Sequence, residues 1–189
     1  MRWYVGSDHG GMALRQRLVA HMREAGHQVM AEHGPSEPGQ SCDYPDIAHV
    51  VAHAVRGDAG SFGLLVCGTG QGMTMTANRV RGIRAALVAD VFSAHMAREH
   101  NDANVICLGQ RVVGPGLALD LWDAFAAASF EGGRHARRVG KIEAMPVEPA
   151  AEGGTGDEAG NGAGSGTIDG TIGGTIGGTI GGTIGGTGS

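Results

Sequence analysis

The chemistry of this chain is concentrated in "LLVCGTGQGMTMTANRV", residues 64–80, where an apolar run stops at Cys67 and gives way to Gly68, Gly70 and Gly72. Glycines at a strand-to-helix junction let successive backbone N–H groups crowd together and face an anion. Two chemistries use such a turn. It could cradle a phosphate of a nucleotide, with the cysteine incidental. It could equally hold a developing oxyanion beside a thiolate base, because a thiol facing a helix N-terminus is biased toward its ionised form. The spacing is GxGxG and follows the third apolar run. The dinucleotide fingerprint is GxGxxG after the first, so that reading has little here beyond an acidic residue, Asp90, at the end of the next run. The bland alternative for Cys67 is a small apolar residue closing a buried strand, which is the reading taken for Cys107 in "NVICLG".

Further candidates lie elsewhere. "SDHGG" places Asp8 and His9 after the first apolar run, either facing a shared crevice or, for Asp8, merely capping the helix expected from Gly10. "REHNDAN" ends a helical segment with His100 and Asn101, and a histidine at a helix C-terminus suits a general acid as well as a plain cap. "EGGRHARRVGK" carries Arg134 and Arg138 at i and i+4, which on a helix form a fork for one phosphate at the far end of the crevice from Cys67. Arg137 points elsewhere. His49 and His53 have a metal-ligand spacing, but an apolar stripe of Ile47, Val50, Val51, Ala54 and Val55 leaves them on a solvent face.

These residues must be positioned by the alternation of short apolar runs with helix-period segments. The runs are "WYVGS", "HQVM", "FGLLVC", "RAALVA" and "NVICLG". The segments between and after them are Gly10 to Ala25, Pro45 to Arg56, Gly72 to Val80, Val91 to His100 and Leu117 to Ser129. Five such units predict an open, mostly parallel sheet with helices on both faces. The runs at 64–67 and 85–89 are apolar on both sides, as strands buried between two helical layers are. Ligands in such folds gather beyond the strand C-termini. Residues 33–45, "HGPSEPGQSCDYP", read as a loop with Pro45 at the start of a helix.

Composition divides the chain of 189 residues near Val147. Residues 1–146 form the expected single folded domain, and residues 147–189, ending in a TIGG repeat, are expected to be a disordered acidic tail, with a glycine-rich β-structure as the alternative. The tail holds five acids and no base, which leaves 14 acids against 14 bases upstream and a formally neutral domain. Such a domain has no long-range field for nucleic acid or an anionic membrane, so the expected partner is a small molecule. The N-terminus lacks an apolar leader and no window reaches 18 apolar residues, so a cytoplasmic location is expected. Cys42, Cys67 and Cys107 form no CxxC and are expected to be free thiols, with no metal site.

Taken in order, "VGSDHGG", "DYPDIAHVVAHAV", "GLLVCGTGQGM", "ANRVRGIRAAL", "AREHNDANVICLGQRVVG" and "FEGGRHARRV" resemble the ribose-5-phosphate isomerase B family, which includes galactose-6-phosphate isomerase subunits. The likeness covers nearly all of residues 1–143. The resemblance implies a Rossmann-like three-layer α/β/α sandwich with a five-stranded parallel sheet. It also implies a cofactor-free aldose-ketose isomerase of the pentose phosphate pathway, working as a homodimer or dimer of dimers with sites shared between subunits. It makes Cys67 the base, assisted by Thr69, with the N–H groups of Gly68, Gly70, Gln71 and Gly72 holding an enediolate. It makes His100, with Asp8, the ring-opening group. His9, Arg111, Arg134 and Arg138 would bind phosphate, and Asn101 the sugar hydroxyls. Members with serine in place of the cysteine use a glutamate one helical turn later, where this chain has Gln71, Gly72, Met73 and Thr74. The substrate would be D-ribose 5-phosphate, with allose, galactose or tetrose phosphates as alternatives. A non-catalytic phosphosugar sensor and a Cys-His hydrolase are the readings from other classes.

Overall fold

The computed structural model describes residues 1–146, and the expected disordered tail at 147–189 lies outside the described residues. The strands are β1 (Arg2–Ser7), β2 (Gln28–His33), β3 (Phe62–Cys67), β4 (Ala85–Leu87) and β5 (Val105–Gly109). The helices are α1 (Met12–Glu24), α2 (Tyr44–Gly57), α3 (Gln71–Ala77), α4 (Val91–Asn101), α5 (Pro115–Ala127) and α6 (Gly133–Glu143). The strands form one parallel sheet in the order β2-β1-β3-β5-β4. The order turns between β1 and β3, which is where parallel sheets of this kind hold a crevice beyond the strand ends.

Alternation along the strands sends side chains to two cores. Trp3, Val5, Leu64, Val66, Ile106 and Leu108 face α1, α4 and α5, where Trp3, Trp122 and Phe125 are buried together. The indole rings of Trp3 and Trp122 lie 5.4 Å apart, and the Trp3 N–H donates to His27 Nδ1 at 3.1 Å. Leu65, Cys67, Val105 and Cys107 face α2 and α3 with Ala48, Val51, Ala52 and Met73. This is the three-layer sandwich expected from the alternation. Among the described residues no helix is long and apolar enough to cross a membrane.

Three local expectations are corrected. β4 is not a buried central strand: it has three residues, stands at the sheet edge, and leaves Leu87 exposed. Alanine and leucine read the same at an edge as in a core, so the pattern could not separate the two. The stripe of α2 is rotated, with Ala48, Val51, Ala52 and Val55 buried and Val50 exposed, because small alanines let the helix lie close to the sheet. The loop expected from residue 33 starts one residue later, since β2 runs through His33. His49 and His53 are solvent-facing as expected.

Candidate active site

β1 and β3 end side by side, with Ser7 opposite Val66, and β5 continues the edge with Gly109 opposite Cys67. Cys67 is 5% exposed, in the core that faces α2 and α3. The chain then turns through Gly70, whose φ of 79° is the left-handed conformation that glycine tolerates. The turn brings the Gly70 N–H onto Cys67 Sγ at 3.0 Å. The glycine turn thus places a backbone donor directly on the sulfur. Close packing fixes this turn. A side chain at Gly70 would meet Leu87 and the backbone of Leu108, and one at Gly109 would strike the backbone of Thr69.

Asp8 leaves β1 toward the same place. α1 starts at Met12 after Gly11, and no side chain caps it, so Asp8 does not cap the helix. Its Oδ1 is buried without a hydrogen-bond partner, as is Ser7 Oγ beside it. His9 is exposed at the rim. Arg111 lies across Gly68, with its guanidinium carbon 3.8 Å from where a Gly68 Cβ would stand, and its N–H donates to the Gly68 carbonyl at 2.9 Å. Thr69 and Gln71 are exposed, with Thr69 Oγ1 3.5 Å from the Gln71 N–H. One end of the sheet thus gathers Asp8, His9, Cys67, Gly68, Thr69, Gly70, Gln71, Gly72 and Arg111.

The remaining predicted residues lie elsewhere. α4 runs back against the strands, so His100 and Asn101 in its last turn return to the edge from which β5 starts. That edge is about 13 Å from Gly109 along β5, at about 3.3 Å per residue. Asp102 follows with φ 48° and closes α4 as a left-handed cap. Arg84 fastens this edge. It reaches Asp102 Oδ2 and Glu143 Oε1, each at 2.7 Å, and donates to the carbonyls of Asn101 and Asp102. On α6, Arg134 and Arg138 are exposed one turn apart, as the helical reading required. They do not line the far end of the Cys67 crevice of the same chain, and His100 does not stand near Asp8.

Sequence reasoning missed four neighbours of these residues. His135 stacks on His100 with ring centroids 4.1 Å apart and planes 10° apart, and burial with the adjacent His100 charge holds its proton affinity below the ordinary histidine value. Glu131 reaches His135 Nε2 at 3.1 Å. Gln110 spans two elements: its N–H donates to the Cys67 carbonyl at 2.9 Å and its Oε1 accepts the free Leu14 N–H at the start of α1. Tyr44 lies against Gly72, where its ring carbons would be 2.4 Å from a Cβ. The histidine next to Arg134 was visible in "EGGRHARRV", but its stacking depends on how α6 packs on α4. Cys107 is inert at neutral pH, because full burial pushes its thiol up to about 12.

A family model described as Ribose/Galactose Isomerase matches residues 4–142. A protein of Mycoplasma pneumoniae named a probable ribose-5-phosphate isomerase B is 45% identical over 145 residues, spanning 77% of this chain and 95% of its own. The ribose-5-phosphate isomerase B structure of Clostridium thermocellum matches with a TM-score of 0.72 at 45% identity, covering 76% of this chain and 95% of that one. The Mycoplasma genitalium ribose-5-phosphate isomerase B, solved with ribulose-5-phosphate bound, matches with a TM-score of 0.72 at 40% identity, over 75% of this chain and 93% of that one.

Proposed function

The chain belongs to the ribose/galactose isomerase family, and from that premise we propose that it interconverts D-ribose 5-phosphate and D-ribulose 5-phosphate through an enediolate, with Cys67 as the base. The observation that carries this reading is the buried sulfur of Cys67 held by the Gly70 N–H inside the glycine turn. A proton α to a carbonyl is weakly acidic, so its removal needs a base beside preorganised donors for the charge that appears.

The thiolate takes the C2 proton of the open-chain aldose, and the electron pair forms the C1–C2 double bond while the carbonyl oxygen becomes negative. The N–H groups from Gly68 to Gly72 receive that oxygen, with Thr69 at the substrate oxygens. The thiol then returns the proton to C1 while the proton of the C2 hydroxyl passes by way of the Thr69 hydroxyl to the negative C1 oxygen, leaving the C2 carbonyl and C1 hydroxyl of the ketose. Before this, the furanose ring opens when His100 donates a proton to the ring oxygen and Asp8 accepts one from the C1 hydroxyl. His9, Arg111, Arg134 and Arg138 hold the phosphate, and Asn101 the hydroxyls.

This assignment needs His100 and the arginine pair next to Cys67, and one chain keeps them on opposite edges of the sheet. We therefore assign the working unit as a homodimer, alone or within a dimer of dimers, in which each site takes Cys67 and Asp8 from one chain and His100, Arg134 and Arg138 from the other. The exposed Leu87, Val91 and Phe92, at the end of β4 and the start of α4, support such an interface. The domain boundary near residue 146 and a cytoplasmic setting complete the proposal.

Turnover on ribose, allose, galactose and tetrose phosphates, followed by NMR in heavy water, tests it. Deuterium entering the carbon-bound position of ribulose 5-phosphate is expected. Binding of sugar phosphates with neither turnover nor deuterium uptake would mean a sensor and would sink the reading.

A further inference from the structure

Around His100, assigned above to ring opening, stand two side chains that isomerisation does not use, Glu131 and His135. His135 is buried at the start of α6 and Glu131 precedes that helix, while His100 closes α4. One ring nitrogen of each histidine and a Glu131 oxygen all lie within 4.8 Å of one another. Glu131 Oε2 is 3.1 Å from His135 Nε2 and 3.9 Å from His100 Nε2, and Glu99 Oε1 stands 3.6 Å from His100 Nε2. Nitrogen and oxygen ligands placed about 2.1 Å from a tetrahedral zinc are separated from one another by about 3.4 Å. The observed separations bracket that value, and the donor set of two imidazoles and two carboxylates is one that zinc and cobalt accept.

We propose that His100, Glu131 and His135, with Glu99 as fourth ligand, form a binding site for a divalent transition metal ion, and that its occupancy silences the isomerase by taking His100 out of service. Three features favour the site. Two elements supply its ligands, and Glu131 and Glu99 are already joined through the backbone, the Glu131 N–H donating to the Glu99 carbonyl at 3.0 Å. The carboxylates of Glu99 and Glu131 balance the ion's charge against Arg134 and Arg138 nearby. His135 is only 5% exposed, so little water competes for its ring nitrogen. Two adjustments accompany binding. The Arg134 Nε–H now points at His135 Nε2 at 3.0 Å, and its exposed side chain must swing away. The half-exposed His100 ring must turn out of its parallel stack so that both lone pairs converge on the ion.

The inhibitory part rests on the isomerase reading above, whereas the binding part does not. Co2+ added to the full chain, watched through the visible absorption that tetrahedral coordination intensifies, reads binding without any turnover. One equivalent per chain is expected, with affinity lowered about 100-fold in Glu131→Gln and in His135→Asn. Zn2+ should displace the Co2+ and suppress ribose 5-phosphate turnover, a chelator should restore it, and Glu131→Gln should keep its turnover in the presence of Zn2+. Absence of Co2+ uptake, or uptake unchanged in both variants, overturns the site. Uptake that leaves turnover untouched overturns the inhibitory role. A chain that binds Co2+ but turns over no sugar phosphate at all counts against the isomerase reading alone.

Discussion

Cys67 carries two separable duties, and two substitutions distinguish them. Its sulfur accepts the buried Gly70 N–H at 3.0 Å, so Cys67→Ala leaves that donor without a partner. An orphaned buried donor costs about 1–3 kcal/mol. For a domain of this size that lowers the melting temperature by about 3–9 °C. Cys67→Ser keeps an acceptor of similar shape and is expected to melt within about 2 °C of the unaltered protein. Activity should not follow stability. A serine hydroxyl is not ionised near neutral pH, and residues 71–74 offer no carboxylate to activate it. Both variants therefore lose the proton transfer, a fall in kcat of about 10²- to 10⁴-fold, equivalent to about 2.7–5.5 kcal/mol in the barrier. KM should change little, because phosphate and hydroxyl contacts remain. Calorimetry and a coupled ribulose 5-phosphate assay on both proteins measure the two effects. A serine variant within tenfold of normal kcat would refute the base. An alanine variant of unchanged melting temperature would refute the structural role of the N–H to sulfur bond.

Gly70→Ala forces a side chain into φ 79° with its Cβ 2.5 Å from Leu87, so it should cost about 1–2 kcal/mol from the left-handed backbone alone and lower kcat at least tenfold, as thermal melts and steady-state assays would show. Arg84→Met removes the tie between β4, the α4 cap and α6, and a loss of about 2 kcal/mol in urea unfolding is expected together with reduced kcat, since the same turn carries His100. Burial holds the His135 proton affinity below that of an unfolded histidine, near 6.5, so the folded chain binds fewer protons just below that pH. Its contribution is complete above pH 6.5 and is lost as pH falls toward the folded value; urea unfolding from about pH 7 to about pH 5.5 should show less of this decline in His135→Asn, and an equal decline would refute it.

The five strands were readable because strands covered on both faces must be apolar along their whole length, as "LLVC" and "VICL" are. The shared edge was readable for the same reason: polar residues after such runs have only the sheet edge to occupy, and Asp8, Cys67 and Arg111 stand there. What the sequence could not convey depends on chain reversal and neighbours. His100 lies in the last turn of a helix just as Cys67 ends a strand, but a helix delivers its last turn to the opposite edge. Asp8 looked like a cap because helix starts are ambiguous by a residue or two, and Gly11 displaced the start beyond its reach. The edge position of β4 depends on which strand pairs with β5, which no local pattern encodes. The partnership of His100 with His135 and Glu131 needs the α4 to α6 contact.

Both tryptophans of the chain, Trp3 and Trp122, belong to the core beneath α1 and α5, on the face of the sheet away from Cys67. Their emission is consequently a reporter of one half of the molecule. Unfolding of that face will change its colour and intensity, while events in the glycine turn leave the indoles undisturbed. A titration with sugar phosphate followed by intrinsic fluorescence should therefore read flat even as the site fills, and a tryptophan introduced at Tyr44, against Gly72, would supply the missing signal.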